Sequence, residues 1–578
     1  MRNFFLLVFL CLLTSNFSFA QQAQKKQNLD HYIIQDSLLI HTKDGAQISA
    51  LTVRKKDFTG KLPALLTFTV YARKSDIQKA IESADKGYVG VIAYTRGKRY
   101  SSSMFTPYEY DGADANEVID WISKQSWSNQ KVGMYGGSYS GFTQWAATKK
   151  LHPALKTIVP SASAAPGLDF PMTNNVFMSF TFPWTYYVSN NQFLDEVDYN
   201  NHTLWNSVNE KWFQQGKAYT QLDSLAGRPA NTLFRKWLAH PSYDQYWQNM
   251  IPYKNDFSKI NIPVLTTTGY YDGGQITALY YLREHYKYNP KANHYLVIGP
   301  YGHFGSQGFP ATVYNGYKLD SVANLPIHTV IYQWFDYILK DGIKPAILKD
   351  KINYQVMGAN QWKHAPSLAK MGNDSLTFYL SKEMNKSDYL LTSTKPKEGF
   401  IPQTIDFKDR SDTHSYYWAR NITYDTLYHN GQFYMSEPLK EPIELTGAFT
   451  GKMRVSINKK DMDYSVALFE LTPEGKYFYL SYFMGRASYA ESPSVRKLLT
   501  PNKQTALPFS NTYLTSKKLN KGSRIVIIVN INKSSNEQIN YGTGKDVNKE
   551  TIADSGEPLQ IKWFTDSYIK LPVWRAKK

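Results

Sequence analysis

The residue with the clearest chemistry is Ser138, in the run Tyr135-Gly136-Gly137-Ser138-Tyr139-Ser140-Gly141. A buried strand, Lys131 to Tyr135, precedes this run and a helical stretch, Tyr139 to Lys149, follows it. A serine on such a strand-to-helix turn has an exposed hydroxyl on a strained backbone, and glycines are needed where neighbouring elements crowd the turn. The N–H groups of the following helix aim at the same spot, where they can steady a developing oxyanion. Gly141 stands one place later than G-x-S-x-G would have it, with Ser140 in its stead. A serine nucleophile needs a base, and the base an orienting acid. Asp272 closes the strand run that starts at Pro263, and His303 follows the next strand in Gly299-Pro300-Tyr301-Gly302-His303-Phe304-Gly305. Of the 12 histidines, His303 alone lies in a glycine-rich loop after a sheet strand and beyond Asp272. His285 falls in a helical stretch and His294 opens a strand. The spacing therefore predicts a Ser138, Asp272, His303 triad for acyl transfer.

The elements that must position these residues alternate. A hairpin over residues 31–53 turns at Lys43-Asp44-Gly45-Ala46; buried strands follow at Leu62 to Tyr71 and Tyr88 to Tyr94, and helices at Asp76 to Lys86 and Asp114 to Lys124. Strands alternating with helices predict a doubly wound, mostly parallel sheet, and the order serine, acid, histidine is that of an α/β hydrolase. The rhythm breaks after Ala165 and returns at Ile262, which predicts an inserted helical cap. Past Asp350 short alternating runs separated by Gly, Asn and Pro predict an all-β jelly-roll sandwich. The expected boundaries are residues 1–20 for a signal peptide, 21–165 and 260–350 for the two parts of the hydrolase domain, 166–259 for the cap and 351–578 for the sandwich.

Arg2 followed by ten apolar residues, Phe4 to Leu13, and then Ser18-Phe19-Ala20 reads as a signal peptide cleaved before Gln21. A membrane span would need about 20 apolar residues. The one cysteine, Cys11, falls inside this segment, so the mature chain would carry no disulfide, thiolate metal site or cysteine nucleophile. An exported protein, periplasmic or secreted, without an integral membrane segment is expected. The net charge of +18 is spread along the 578 residues without a basic block, which argues against a nucleic-acid arm. No cofactor and no metal is expected, and the sequence leaves the oligomeric state unknown.

Gly133-Met134-Tyr135-Gly136-Gly137-Ser138-Tyr139, preceded by Trp127-Ser128-Asn129, resembles the cocaine-esterase and X-Pro dipeptidyl-peptidase group of serine hydrolases, which also contains α-amino acid ester hydrolases and cephalosporin acylases. Thr95-Arg96-Gly97, Asp111-Gly112-Ala113-Asp114, Gly269-Tyr270-Tyr271-Asp272 and Gly299-Pro300-Tyr301-Gly302-His303 look like further segments of that group; Val356 to Trp362 and Asp463-Tyr464 look like marks of its carboxyl-terminal jelly roll. The resemblance implies an oxyanion hole made by the Tyr71 hydroxyl and the Tyr139 N–H. One departure bears on substrate. Where α-amino acid ester hydrolases carry acidic residues after the catalytic aspartate, this chain has Gly273-Gly274-Gln275; Asp169 is a remaining carboxylate candidate, or else a solvated loop residue. An aromatic run offers Phe177, Phe180 and Trp184 as a pocket for an apolar or aromatic acyl group, or as cap core. The expected function is an exported serine hydrolase that cleaves small acyl esters or amides, or short peptides, through an acyl-enzyme. The alternatives are an X-Pro-type dipeptidyl-peptidase or α-amino acid ester hydrolase and, from another class, a glycan- or surface-binding protein with a vestigial hydrolase domain.

Overall fold

The computed structural model describes residues 29–385, 388–411, 421–428 and 431–576, so the expected signal peptide lies outside the described residues. Ten strands form the first sheet: β1 (Tyr32–His41), β2 (Gln47–Lys55), β3 (Leu62–Thr69), β4 (Val89–Tyr94), β5 (Ser128–Gly137), β6 (Leu155–Ser161), β7 (Val264–Tyr271), β8 (His294–Gly302), β9 (Ile352–Val356) and β10 (Gln361–Ala365). Their order is β1-β2-β4-β3-β5-β6-β7-β8-β9-β10. From β4 to β9 every neighbouring pair is parallel, and antiparallel pairs close both edges. All six residues of β4 are buried, as are all but the first of β3, which is why these runs are continuously apolar instead of alternating. The intervening helices are α1 (Asp76–Asp85), α2 (Asp111–Ser123), α3 (Tyr139–Thr148), α4 (Thr181–Ser189), α5 (His202–Gln215), α6 (Thr232–Leu238), α7 (Gln275–Tyr288) and α8 (Ile327–Leu339).

The chain between β6 and β7 carries α4, α5, α6 and several single turns. Its interior is aromatic: the Trp184 ring meets those of Phe170 and Trp237, and Phe182 meets Phe234. From Asp374 onward the described chain is built of strands, with Asp463–Leu471 antiparallel to both Tyr477–Arg486 and Arg524–Ile531.

One expected boundary is corrected. The sandwich was drawn from residue 351, yet β9 and β10 extend the hydrolase sheet, β9 lying parallel to β8. Val356 to Trp362 runs from the last residue of β9 through the turn into β10. Short alternating runs look alike in a sandwich and at the edge of an α/β sheet, so the pattern alone does not assign them.

Candidate functional site

Parallel strands bring their carboxyl ends to one edge, and that edge collects the expected residues. Ser138 follows β5, Asp272 follows β7, His303 follows β8, and Tyr71 lies two residues beyond β3. Ser138 has φ 60° and ψ −121°, a conformation that L side chains rarely adopt. It is fixed from both directions. Its N–H donates to the Ser161 carbonyl at 3.0 Å, and its carbonyl accepts from the Gly141 and Phe142 N–H groups at 2.9 and 3.1 Å. The glycine pattern has a steric origin. A Cβ at Gly137 would come within 1.9 Å of Gln307 Oε1, and one at Gly141 within 2.6 Å of Ser163 Cβ. Gly141 is thus required by its contact with the loop after β6.

His303 Nδ1 lies 2.7 Å from Asp272 Oδ1. Asp272 is fully buried, and its oxygens accept from Thr268 Oγ1 at 2.7 Å and from the Gly274 N–H at 2.9 Å. Burial opposes its ionisation, but His303 and these donors hold its carboxyl below the ordinary carboxylate range. Burial likewise opposes the imidazolium of His303, and Asp272 overcomes it, so the His303 pKa is raised. A base tied to a buried carboxylate in this way keeps one tautomer and leaves Nε2 for the nucleophile.

The Tyr71 hydroxyl accepts from Trp184 Nε1 at 3.3 Å and has the Ser138 side chain as a second hydrogen-bond neighbour. Burial raises its pKa, which keeps the phenol protonated and able to donate. Tyr139 opens α3, and its own hydroxyl is buried well away from water. It donates to Asp111 Oδ2 at 2.8 Å and accepts from the Tyr108 N–H at 2.9 Å, while Thr95 Oγ1 holds the other Asp111 oxygen at 2.5 Å. Burial lifts the Asp111 carboxyl to about 7. Thr95 and Asp111 stand in segments that carry the resemblance. Their part, holding the first residue of α3, was not legible there.

The remaining site candidates divide. Trp184 stands against Tyr71 and Tyr139, with its ring 6.2 Å from that of Tyr139. Phe180 is partly exposed and packs edge-on to Phe170. Phe177 is corrected: it is 1% exposed, lies in a two-residue strand and packs on Tyr219, so it belongs to the core. Asp169 is not a solvated loop residue either. It is buried, accepts from the Ala165 N–H at 2.9 Å and from Thr277 Oγ1, and burial pushes its carboxyl up to about 7. The charges of Asp272 and His303 act on it, and its own acts on His303. Gln275, at the position where a carboxylate could have stood, is spent on architecture. Its amide donates to the Gly269 and Leu514 carbonyls and accepts from the Leu514 N–H at 2.6 Å, tying the acid loop to the β-sandwich.

Gln307 went unnoticed in the sequence. Its Nε2 donates to the His303 carbonyl at 2.7 Å while its side chain covers Gly137, so it clamps the histidine loop to the turn that carries Ser138. A glutamine four residues past a histidine has no sequence signature; the signal lies in the glycine that makes room for it.

Residues 44–305 match the profile of the X-Pro dipeptidyl-peptidase (S15 family), and residues 348–555 match that of the X-Pro dipeptidyl-peptidase C-terminal non-catalytic domain. Cocaine esterase of Rhodococcus sp. (strain MB1 Bresler) is 25% identical over 499 residues, covering 80% of this chain and 84% of that protein. Among solved structures, an α-amino acid ester hydrolase superposes with a TM-score of 0.78 at 22% identity, covering 94% of this chain and 97% of that one. An aminopeptidase from a marine sediment archaeon, Thaumarchaeota archaeon, superposes with a TM-score of 0.79 at 20% identity, covering 95% and 97%. At these identities the structural likeness speaks for the fold, an α/β hydrolase with a carboxyl-terminal all-β domain. With the two profiles in series along it, the chain belongs to the cocaine-esterase and X-Pro dipeptidyl-peptidase family of serine hydrolases.

Proposed function

We propose that this protein hydrolyses esters or amides of small acyl compounds by two-step acyl transfer at Ser138. The observation that carries the reading is the convergence on one sheet edge of a strained Ser138 and a His303–Asp272 pair at 2.7 Å. Ser138 Oγ attacks the substrate carbonyl while His303 takes its proton. The oxyanion is met by the Tyr71 hydroxyl and the Tyr139 N–H, and the imidazolium is favoured by Asp272. His303 returns the proton to the leaving group as the carbon–heteroatom bond breaks. Water, deprotonated by His303, then attacks the acyl-enzyme and releases the acid and Ser138.

Trp184 stands against Tyr71 with Phe170 beside it, both largely buried, so the packing behind the oxyanion donor is aromatic, which fits an apolar or aromatic acyl group. Recognition of a free amino terminus has less support. Gly273 and Gly274 bring no charge, and Asp169 is engaged with Thr277 and Ala165 and held towards its neutral form. The peptidase reading keeps one observation in its favour, the pull of the Asp169 charge on His303.

Labelling with a fluorophosphonate probe followed by peptide mapping tests the nucleophile. Modification at Ser138, lost in His303→Ala, is the expected result; no labelling of folded protein would refute it. A peptide amide offered with a free and with an acetylated amino terminus separates the substrate readings. Indifference to acetylation is expected, and a strong preference for the free amine would move the protein to the peptidases.

A further inference from the structure

In acyl transfer the two halves of the substrate part in different directions. The acyl portion stays on Ser138, whose side chain neighbours the Tyr71 hydroxyl. The leaving group departs towards the proton it must receive. That proton sits on His303 Nε2, because Nδ1 is held by Asp272 at 2.7 Å. Whatever borders the open side of this imidazole therefore meets the leaving group.

Asp272 is fully buried and fills one side of the ring, whereas the His303 side chain is 35% exposed. The next residue, Phe304, is 85% exposed. Its ring lies edge-on to the imidazole, with centroids 5.6 Å apart and planes at 72°. A ring so exposed cannot lie on the side that the buried Asp272 fills, so it stands on the side open to substrate. The backbone beneath it is fixed. The Phe304 carbonyl accepts from the Gln307 N–H at 3.1 Å, Gln307 Nε2 donates to the His303 carbonyl at 2.7 Å, and the same side chain covers Gly137, next to Ser138. Exposure alone would say little. Phe309, in the same segment, is 70% exposed, but its ring stacks on His328 of α8 at 5.2 Å. Phe304 is the exposed ring that leans on the base.

We propose that Phe304 is a specificity-determining residue that forms a wall of the leaving-group subsite, and that the preferred esters carry a flat apolar alcohol portion such as a benzyl group. It rests on the proposed roles of Ser138 and His303. In acylation the bond from Ser138 Oγ to the acyl carbon forms, the bond from that carbon to the alcohol oxygen breaks, and the proton on His303 Nε2 passes to this oxygen. The apolar part of the alcohol covers the Phe304 ring as this happens, removing both from water. Deacylation, in which water stands in the place of the alcohol, makes no use of the ring.

Methyl and benzyl phenylacetate test the proposal, because they give the same acyl-enzyme and release alcohols of nearly equal acidity. The full chain is expected to favour the benzyl ester in kcat/KM by about tenfold, and Phe304→Ala should cut that ratio by about fivefold or more. Phe304→Tyr, which keeps the aromatic face, should retain the preference, and so should Phe309→Ala. Breakdown of the phenylacetyl-enzyme, followed after rapid mixing, should run at the wild-type rate in Phe304→Ala. The melting temperature of that variant should match the wild type, since the ring it lacks is exposed. No benzyl preference in the wild type, an unchanged ratio in Phe304→Ala, a changed rate of acyl-enzyme breakdown, or the same collapse in Phe309→Ala would overturn the proposal while Ser138 kept its role. Turnover of neither ester would also overturn it, and fluorophosphonate labelling of Ser138 in the same sample tells whether the assignment of the nucleophile falls with it.

Discussion

Strand β8 has a histidine at each end, His294 at its start and His303 just past its close, and the two ends treat the same side chain in opposite ways. At the carboxyl end, His303 faces the buried Asp272 and its pKa is raised. At the amino end, His294 opens β8 and meets His285 of α7, Nδ1 to Nδ1, at 3.2 Å. There burial lowers both, His294 well below its ordinary value. The bonds of the second pair form one consistent neutral chain. His285 Nε2 donates to the Ile260 carbonyl at 3.0 Å, so its Nδ1 must accept from His294 Nδ1, and His294 Nε2 then accepts from Thr266 Oγ1 at 2.8 Å. A proton added at His285 Nδ1 would face the His294 Nδ1–H, and one added at His294 Nε2 would displace the bond donated by Thr266. Burial alone thus makes a histidine inert, whereas burial with a carboxylate makes it a base.

The comparison breaks first if the carboxyl edge does no chemistry. Ser138→Ala should reduce ester kcat by about a millionfold, and Asp272→Asn, which leaves His303 in the wrong tautomer, by about 10,000-fold. Turnover of either purified variant near the wild-type rate would remove the proposed mechanism. Tyr71→Phe deletes one donor to the oxyanion and should lower kcat by about 100-fold to 1,000-fold with little change in KM. The raised pKa of His303 gives the pH profile its sign: kcat/KM should fall as the pH drops through a value above 6.5, because a protonated imidazole cannot accept from Ser138.

A smaller effect tests the link between the histidine loop and the nucleophile. Gly137→Ala places a methyl group where Gln307 lies, and displacement of Ser138 or His303 by about 1 Å can cost about 100-fold in kcat. Gln307→Ala in the same chain should recover most of that loss, because φ at Gly137 is not positive and the clash is with this side chain. No recovery in steady-state kinetics would show that the glycine serves another purpose.

What the sequence disclosed, and what it did not, follows the reach of each constraint. Ser138, Asp272 and His303 are each set by a local rule, a residue just past a buried strand, and three local rules in the right order needed no tertiary information. Tyr71 came from the resemblance, since a tyrosine after a strand is otherwise ordinary. The hold of Asp111 and Thr95 on Tyr139 joins residues that are 28 and 44 positions apart from it, and no periodicity encodes such a contact. Phe177 is a pocket candidate in the sequence because an aromatic run has no inward or outward mark of its own; its neighbours in the core include Tyr219, which arrives later in the chain. Gln275 was legible only as a missing charge, and its bonds to Leu514 show what took the place of that charge.

The smallest effect sharpens the comparison at the amino end. Unfolded, His285 and His294 would titrate near 6.5; folded, both lie lower, so above that pH neither state binds a proton and the pair adds no pH dependence. Below it the unfolded chain takes up protons that the fold refuses, and the pair's contribution to stability falls as the pH falls. Each unit of lowered pKa is worth about 1.4 kcal/mol once the pH is below the folded value. Asp111 and Asp169, both raised to about 7, act in the opposite sense, since there the fold takes up protons that the unfolded chain does not bind until lower pH. The melting temperature of the wild type is therefore a sum, and the pair is isolated by difference. A His285→Leu, His294→Met variant, which removes both partners together, should lose less stability than the wild type between pH 7 and pH 5 while its ester kcat/KM keeps the wild-type pH profile. If the two stability curves ran parallel, the pair would not be the acid-sensitive element. If the kinetic profile moved with them, the two ends of β8 would be coupled instead of independent.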